Sequence, residues 1–233
     1  MSKVLAYLLL TICTSTLAQE LPLPAQVEKY KKPTSFDELS IFVNQLDQSS
    51  ELLEVEVLGK SVQDRNIYAL KFSSGEFGKD PSKIKILIFA QQHGNEQSGK
   101  EGALLLAREL LKSGNKYLFK RIDLAIIPQM NPDGSEVNKR RNSNDADLNR
   151  NHLILTEPET QALHMFFERY LFEVTMDVHE YSPYSEDWKA AGFRKNSEVT
   201  VGTTTNPDVS ARIRKYSKSV YLPYIINYLN QQG

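Results

Sequence analysis

Apolar positions recur at helical spacing at Phe36, Leu39, Phe42, Val43 and Leu46, directly after Ser35-Phe36-Asp37-Glu38, whose Ser-x-x-Glu spacing is that of a capping box. A first amphipathic helix is therefore expected there. Leu53 to Leu58 and Asn66 to Phe72 alternate partially, and the turn-like Gly59 to Arg65 separates them, which predicts a hairpin. Lys83 to Ala90 and Ile122 to Pro128 are short β-rich apolar runs suited to buried strands. Between them, Ala103, Leu104, Ala107, Leu110 and Leu111 predict a helix over Gln97 to Lys112, stopped by Ser113-Gly114. Thr156-Glu157-Pro158-Glu159 repeats the capping-box spacing before Ala162, Leu163, Phe166, Phe167 and Tyr170, and a strand from Phe172 to Val178 follows. Beyond Asn206-Pro207, Val209, Ile213, Tyr216, Val220, Leu222, Ile225 and Leu229 suggest one or two helices, broken or kinked at Pro223. Tyr216, Tyr221, Tyr224 and Tyr228 share that spacing, which favours core packing for them. The alternation of strand and helix implies an α/β fold.

Composition narrows the class. The 233 residues are 40% hydrophobic and 24% charged, with 11 Gly and 10 Pro, so the chain can bury a core and is neither disordered nor low-complexity. A net charge of −1 provides no global field for nucleic acid, and no such partner is expected. Lys3, the apolar stretch Val4 to Cys13 and the small residues of Thr16-Leu17-Ala18 read as an export signal over residues 1–18, which predicts a secreted or periplasmic protein. The apolar stretch is shorter than the ~20 residues needed to span a bilayer, so no membrane span is expected after signal cleavage. Residues 19–233 then read as one domain, without repeat or linker. Cys13 is the sole cysteine and lies inside the leader, so the mature chain has no thiol nucleophile and no thiolate ligand. Neither Gly-x-Ser-x-Gly nor His-Glu-x-x-His occurs, which disfavours a serine hydrolase and a thermolysin-like protease.

Each buried strand leads into a polar segment rich in metal-ligand or anion-binding residue types. In open α/β sheets such sites gather beyond the carboxyl ends of the strands. His93 and Glu96, at i and i+3, can converge on one ion if the segment turns like the start of a helix, and the distant His179 would complete a three-ligand zinc site with a position open for water. An isolated His-x-x-Glu is a weak signal. The context is stronger, because His93-x-x-Glu96, Asn131-Pro132-Asp133-Gly134, Arg140-Arg141-Asn142, Asp147-Leu148-Asn149-Arg150, Glu157-Pro158-Glu159-Thr160 and Asp177-Val178-His179-Glu180 occur in the order found in zinc metallocarboxypeptidases of the carboxypeptidase A type. Over residues 30 to 180 the chain resembles that family, and Asp-Val-His-Glu-Tyr-Ser-Pro with Thr205-Asn206-Pro207 resembles a bacterial secreted branch of it.

The resemblance implies a mixed, largely parallel central sheet with helices on both faces. It implies one zinc ion per chain on His93, Glu96 and His179, and a peptide or N-acyl amino acid substrate with a free C-terminal carboxylate. Arg140 resembles the arginine that stabilises the tetrahedral oxyanion, with Arg141 as its alternative in the Lys139-Arg140-Arg141 cluster. Asn149 and Arg150 resemble the pair that grips the terminal carboxylate, and Asp147 the acid that orients His93. His152 and His164 read as ordinary structural or surface residues.

The family's general base, a glutamate on a late strand, has no visible counterpart. The acids after His179 are Glu180, Glu186, Asp187, Glu198 and Asp208, with none from Val209 to Gly233. Two expectations follow: the chain is C-terminally truncated and its fold incomplete there, or Glu180 serves as the base. Glu180 would turn away from His179 if both lay in one strand. Rival functions that keep the metal site are a zinc-dependent amidase or deacylase on N-acyl amino acids or cell-wall peptides, and a silent zinc- or peptide-binding remnant.

Overall fold

The computed structural model describes residues 21–181, 186–192 and 199–232. The expected leader, with Cys13, and the acid Glu198 lie outside them. The chain divides into two compact units, 1–181 and 182–233.

The first unit opens with a short helix α1 (Pro24–Val27) and the amphipathic α2 (Phe36–Ser49). The capping box forms as expected, with the Glu38 backbone N–H donating to Ser35 Oγ and the Glu38 carboxylate accepting from the Ser35 N–H at 2.8 Å. Strands β1 (Leu53–Lys60) and β2 (Asn66–Phe72) form the hairpin, with an irregular register between Val57 and Gly59. They are followed by β3 (Ile84–Ala90), helix α3 (Gln97–Leu110), a 3-10 segment (Ser113–Lys120), β4 (Ile122–Ile127), the single-turn α4 (Pro132–Glu136), α5 (Pro158–Tyr170) and β5 (Val174–Val178).

The strands join in one open mixed sheet, ordered β1-β2-β4-β3-β5. β2 is antiparallel to β1 and β4, whereas β3 runs parallel to both β4 and β5. Period-two alternation sends neighbouring side chains to opposite layers. Leu70 and Phe72 of β2, and Leu124 and Ile126 of β4, pack with Leu39, Leu46, Leu104 and Ala107 of α2 and α3. Ile67 and Ala69 of β2, and Ala125 and Ile127 of β4, pack on the other face with Ala162, Leu163 and Phe166 of α5. Helices thus cover both faces, and sites past β3, β4 and β5 share one edge of the sheet.

One capping expectation fails. Helix α5 starts at Pro158 with Glu157 at its N-cap and no side-chain cap, and Thr156 instead accepts from Asn151 Nδ2 at 2.8 Å. Glu159 does not reach back; it is fully buried and accepts from the Val62 N–H at 3.3 Å and from Asn142 Nδ2 at 3.1 Å, and burial pushes its carboxyl above the usual range.

The second unit carries α6 (Glu186–Ala190), α7 (Ala211–Tyr216), a π turn (Ser217–Tyr221) and α8 (Leu222–Gln232). The irregularity foreseen at Pro223 takes the form of this π turn just before it, where a ring without an N–H disrupts regular i→i−4 bonding. Tyr216, Tyr221, Tyr224 and Tyr228 are exposed, contrary to the core packing their spacing suggested, and no described residue of this unit is buried. Periodicity marks a face of a helix without saying that anything covers it. Among the described residues, no helix is long and apolar enough to cross a membrane.

Candidate metal centre

The parallel strands β4, β3 and β5 end at one sheet edge, and the candidate residues stand on the segments that leave them. After β3, Gln91 takes a left-handed φ of 57°, and the Glu96 N–H closes a turn on the His93 carbonyl at 3.0 Å just before α3 begins. The pairing of β3 with β4 continues past both strands, with the N–H groups of Met130 and Asn131 donating to the carbonyls of Ala90 and Gln91. β5 stops at Val178, so His179 and Glu180 are already free of strand alternation.

His93, Glu96 and His179 each offer one donor atom, and all three atoms lie within 4.8 Å of one another. His93 Nδ1 is 2.6 Å from Glu96 Oε1, and His179 Nδ1 is 2.8 Å from Glu96 Oε2. His93 is buried, and its Nε2 lies 3.1 Å from Asp147 Oδ1. With Nε2 turned to Asp147, Nδ1 is the His93 nitrogen directed at Glu96 and at the shared metal position. Two imidazole nitrogens and a carboxylate converging in this way form a donor set that suits zinc.

The electrostatics match a site built for a cation. Burial pushes the Glu96 carboxyl up, but hydrogen bonds from His179 and His93 and the Glu180 N–H outweigh it and bring it to about 2. Hydrogen bonds to Asp177 and Glu96 hold the His179 imidazolium up to about 10. Burial also opposes ionisation of Asp147, yet its bonds with Arg140 and His93 hold its carboxyl below the usual range.

Arg140, and not Arg141, joins the group. Its Nε and Nη2 donate to Asp147 Oδ2 at 3.1 and 3.0 Å, and its Nη1 stands 3.3 Å from His93 Nδ1. Arg141 donates to the Asp145 carbonyl at 2.7 Å. Asn149 Nδ2 lies 3.2 Å from His179 Nε2, and the exposed Arg150 donates to the Asn149 carbonyl at 3.0 Å. Glu180 is exposed, and its carboxylate accepts the Ser98 N–H in the first turn of α3 at 2.9 Å.

Three further residues, given no role at the site by the sequence, adjoin the group. Asp177 and Gln92 bond each other beside His179, and His152 bonds Gln92. An acid two residues before a candidate ligand was the available signal for Asp177. Nothing local singled out Gln92 or His152.

Residues 40–219 match the family model described as zinc carboxypeptidase. Relatives include carboxypeptidase 2 of Trichophyton rubrum, 24% identical over 81% of this chain and 36% of that protein. Carboxypeptidase D of Mus musculus is 28% identical over 62% of this chain and 12% of its own length. Among solved structures, a metallo-carboxypeptidase from Burkholderia cenocepacia superposes with a TM-score of 0.64 at 23% identity, covering 80% of this chain and 48% of that one. The carboxypeptidase A of Helicoverpa armigera gives 0.60 at 22% identity, over 72% and 53%. The chain therefore spans about half or less of the length of each of these proteins.

Proposed function

Because the chain belongs to the zinc carboxypeptidase family, we propose that it carries the metal centre of an exopeptidase that hydrolyses the C-terminal bond of peptides with a free C-terminal carboxylate. The observation that carries this reading is the convergence of His93, Glu96 and His179 beside the Asp147–Arg140 pair, at the ends of the parallel strands. His93 and His179 would hold zinc through Nδ1, and Glu96 through its carboxylate. Bound zinc supplies a coordinated water with a pKa lowered toward ~7 and polarises the scissile carbonyl.

The protein's own groups do the rest. Asp147 accepts the His93 Nε2 proton and so fixes which nitrogen faces the metal. The same carboxylate holds the Arg140 guanidinium at two atoms, leaving Nη1 directed toward the ligand group, where a fixed cation stabilises a developing oxyanion. Asn149, beside His179, and the neighbouring Arg150 grip the substrate's terminal carboxylate. Glu180 is the candidate base within these residues; the Ser98 N–H on Oε2 leaves lone pairs of its carboxylate to accept a proton. The Lys3 to Ala18 pattern supports a secreted or periplasmic location, with residues 1–18 as signal peptide and the catalytic domain after it.

The test is hydrolysis of N-blocked dipeptides by the zinc-loaded chain. Turnover of the free acid, lost on chelation and absent for the C-terminal amide, is expected. Equal turnover of the amide would indicate a general amidase, and stoichiometric zinc without turnover a silent centre. Arg150→Lys is expected to lower kcat/KM on free acids by about tenfold or more, because a charge-assisted fork contributes ~1.5–3 kcal/mol and an ammonium cannot reproduce it. An equal loss on a side-chain-matched ester would remove Arg150 from this role.

A further inference from the structure

A chain of hydrogen bonds runs from helix α5 to the candidate ligand His179 through residues given no role above. His164, on α5, has Nε2 3.1 Å from His152 Nδ1. His152 Nε2 is 2.7 Å from Gln92 Oε1. Gln92 Nε2 donates to Asp177 Oδ2 at 2.8 Å, and that oxygen is 2.9 Å from His179 Nε2.

The donor and acceptor inventory leaves one consistent direction. Asp177 Oδ2 faces the Gln92 amide nitrogen and His179 Nε2, and as a carboxyl oxygen it accepts from both. The Gln92 amide then presents its oxygen to His152, whose Nε2 must carry the proton. Burial, with repulsion from His164, pushes the His152 imidazole below its ordinary range, so the ring stays neutral and its Nδ1 accepts from His164 Nε2–H. Gln92 is fully buried and has both ends of its amide engaged, so it cannot flip without orphaning a neighbour. Asp177, on the exposed end of β5, is thereby tied to the interior.

We infer that His152 and Gln92 are positioning residues for the metal centre, acting through Asp177 to hold His179 with Nδ1 directed at the metal. This rests on the reading of His179 as a ligand. Partners behind a metal-bound histidine fix its ring orientation and basicity, and their loss typically costs ~10–100-fold in metal affinity. His152 stands one bond farther back, so the lower end, about tenfold, is the expected effect of His152→Leu. His152→Gln places an amide donor where Nε2–H stood and restores most of the affinity.

The experiment combines zinc affinities of the full-length wild type, His152→Leu and His152→Gln with two-bond 1H–15N spectra of their imidazoles. In the metal-free wild type, His152 is expected as the neutral Nε2–H tautomer. In the zinc-loaded protein, His179 is expected to bind through Nδ1. Equal zinc affinity in wild type and His152→Leu, an equal loss in both variants, or an Nδ1–H tautomer at His152 would each overturn the inference. A wild type that takes up no zinc would overturn the metal-centre reading and with it the positioning role, whereas the His152 tautomer decides the direction of the chain independently.

Discussion

His179→Ala is expected to abolish one-to-one zinc binding, and His93→Ala to do the same. Each supplies one of the three protein donors that converge among the described residues, so its loss exceeds the ~10–100-fold cost of removing an outer partner. The wild type makes a second, linked prediction. Without metal, the proton on His179 Nδ1 sits where zinc must bind, and this imidazolium is held up to about 10 while Glu96 is held down to about 2. Between those values Glu96 is already ionised, and zinc displaces one proton from His179. Apparent zinc affinity therefore rises with pH, by about tenfold per unit around neutrality, as expected whenever binding releases one proton. Calorimetric titrations in buffers of different ionisation enthalpy count that proton directly. Retention of stoichiometric zinc by either variant would remove that histidine from the centre, and pH-independent affinity would contradict a protonated His179.

The sequence carried the local signals and lost the ones that depend on distant partners. The hairpin, the three long helices of the first unit and strands β3, β4 and β5 follow from periodicity, with capping as well for α2, because each element's apolar face is decided within about a dozen residues. The spacing of His93 and Glu96 is equally local. The choice between Arg140 and Arg141 is not, since both stand in a loop without periodicity. Only the fold shows that Asp147 takes two Arg140 donors and that the Gly94 N–H bonds the Arg140 carbonyl, which brings Arg140 to the group. Glu159 read as the end of a capping box because spacing cannot show that Asn142 and Val62 approach it from other segments. The bond between His152 and Gln92 is hidden from spacing for the same reason, as the two lie 60 residues apart.

Gly94→Ala is expected to disable the centre without touching a ligand. A Cβ built on Gly94 would lie 2.2 Å from the Gly134 carbonyl carbon and 2.4 Å from the Ser135 nitrogen, distances no real contact permits. The obstacle is backbone, so no side chain can swing aside. Nor can the loops drift apart freely, because Gly94 N donates to the Arg140 carbonyl at 3.2 Å and Gln91 Nε2 joins the Gly94 carbonyl to Ser135 Oγ at 3.1 and 3.0 Å. One loop carries His93 and Glu96, and the other leads to Arg140 and Asp147. Restoring ordinary contact moves them apart by more than ~1 Å, a misplacement that can cost ~100-fold in rate. Overpacking commonly destabilises by ~1–3 kcal/mol, and a backbone obstacle places this site at the upper end. Gly102→Ala is the control: its Cβ meets nothing within 4 Å on the exposed side of α3, where alanine is favoured over glycine by ~1 kcal/mol. Denaturant midpoints of the metal-free proteins, with zinc titrations beside them, should separate the two variants in opposite directions. An unchanged midpoint and zinc affinity in Gly94→Ala would mean that the two loops are not held together as the bond network implies.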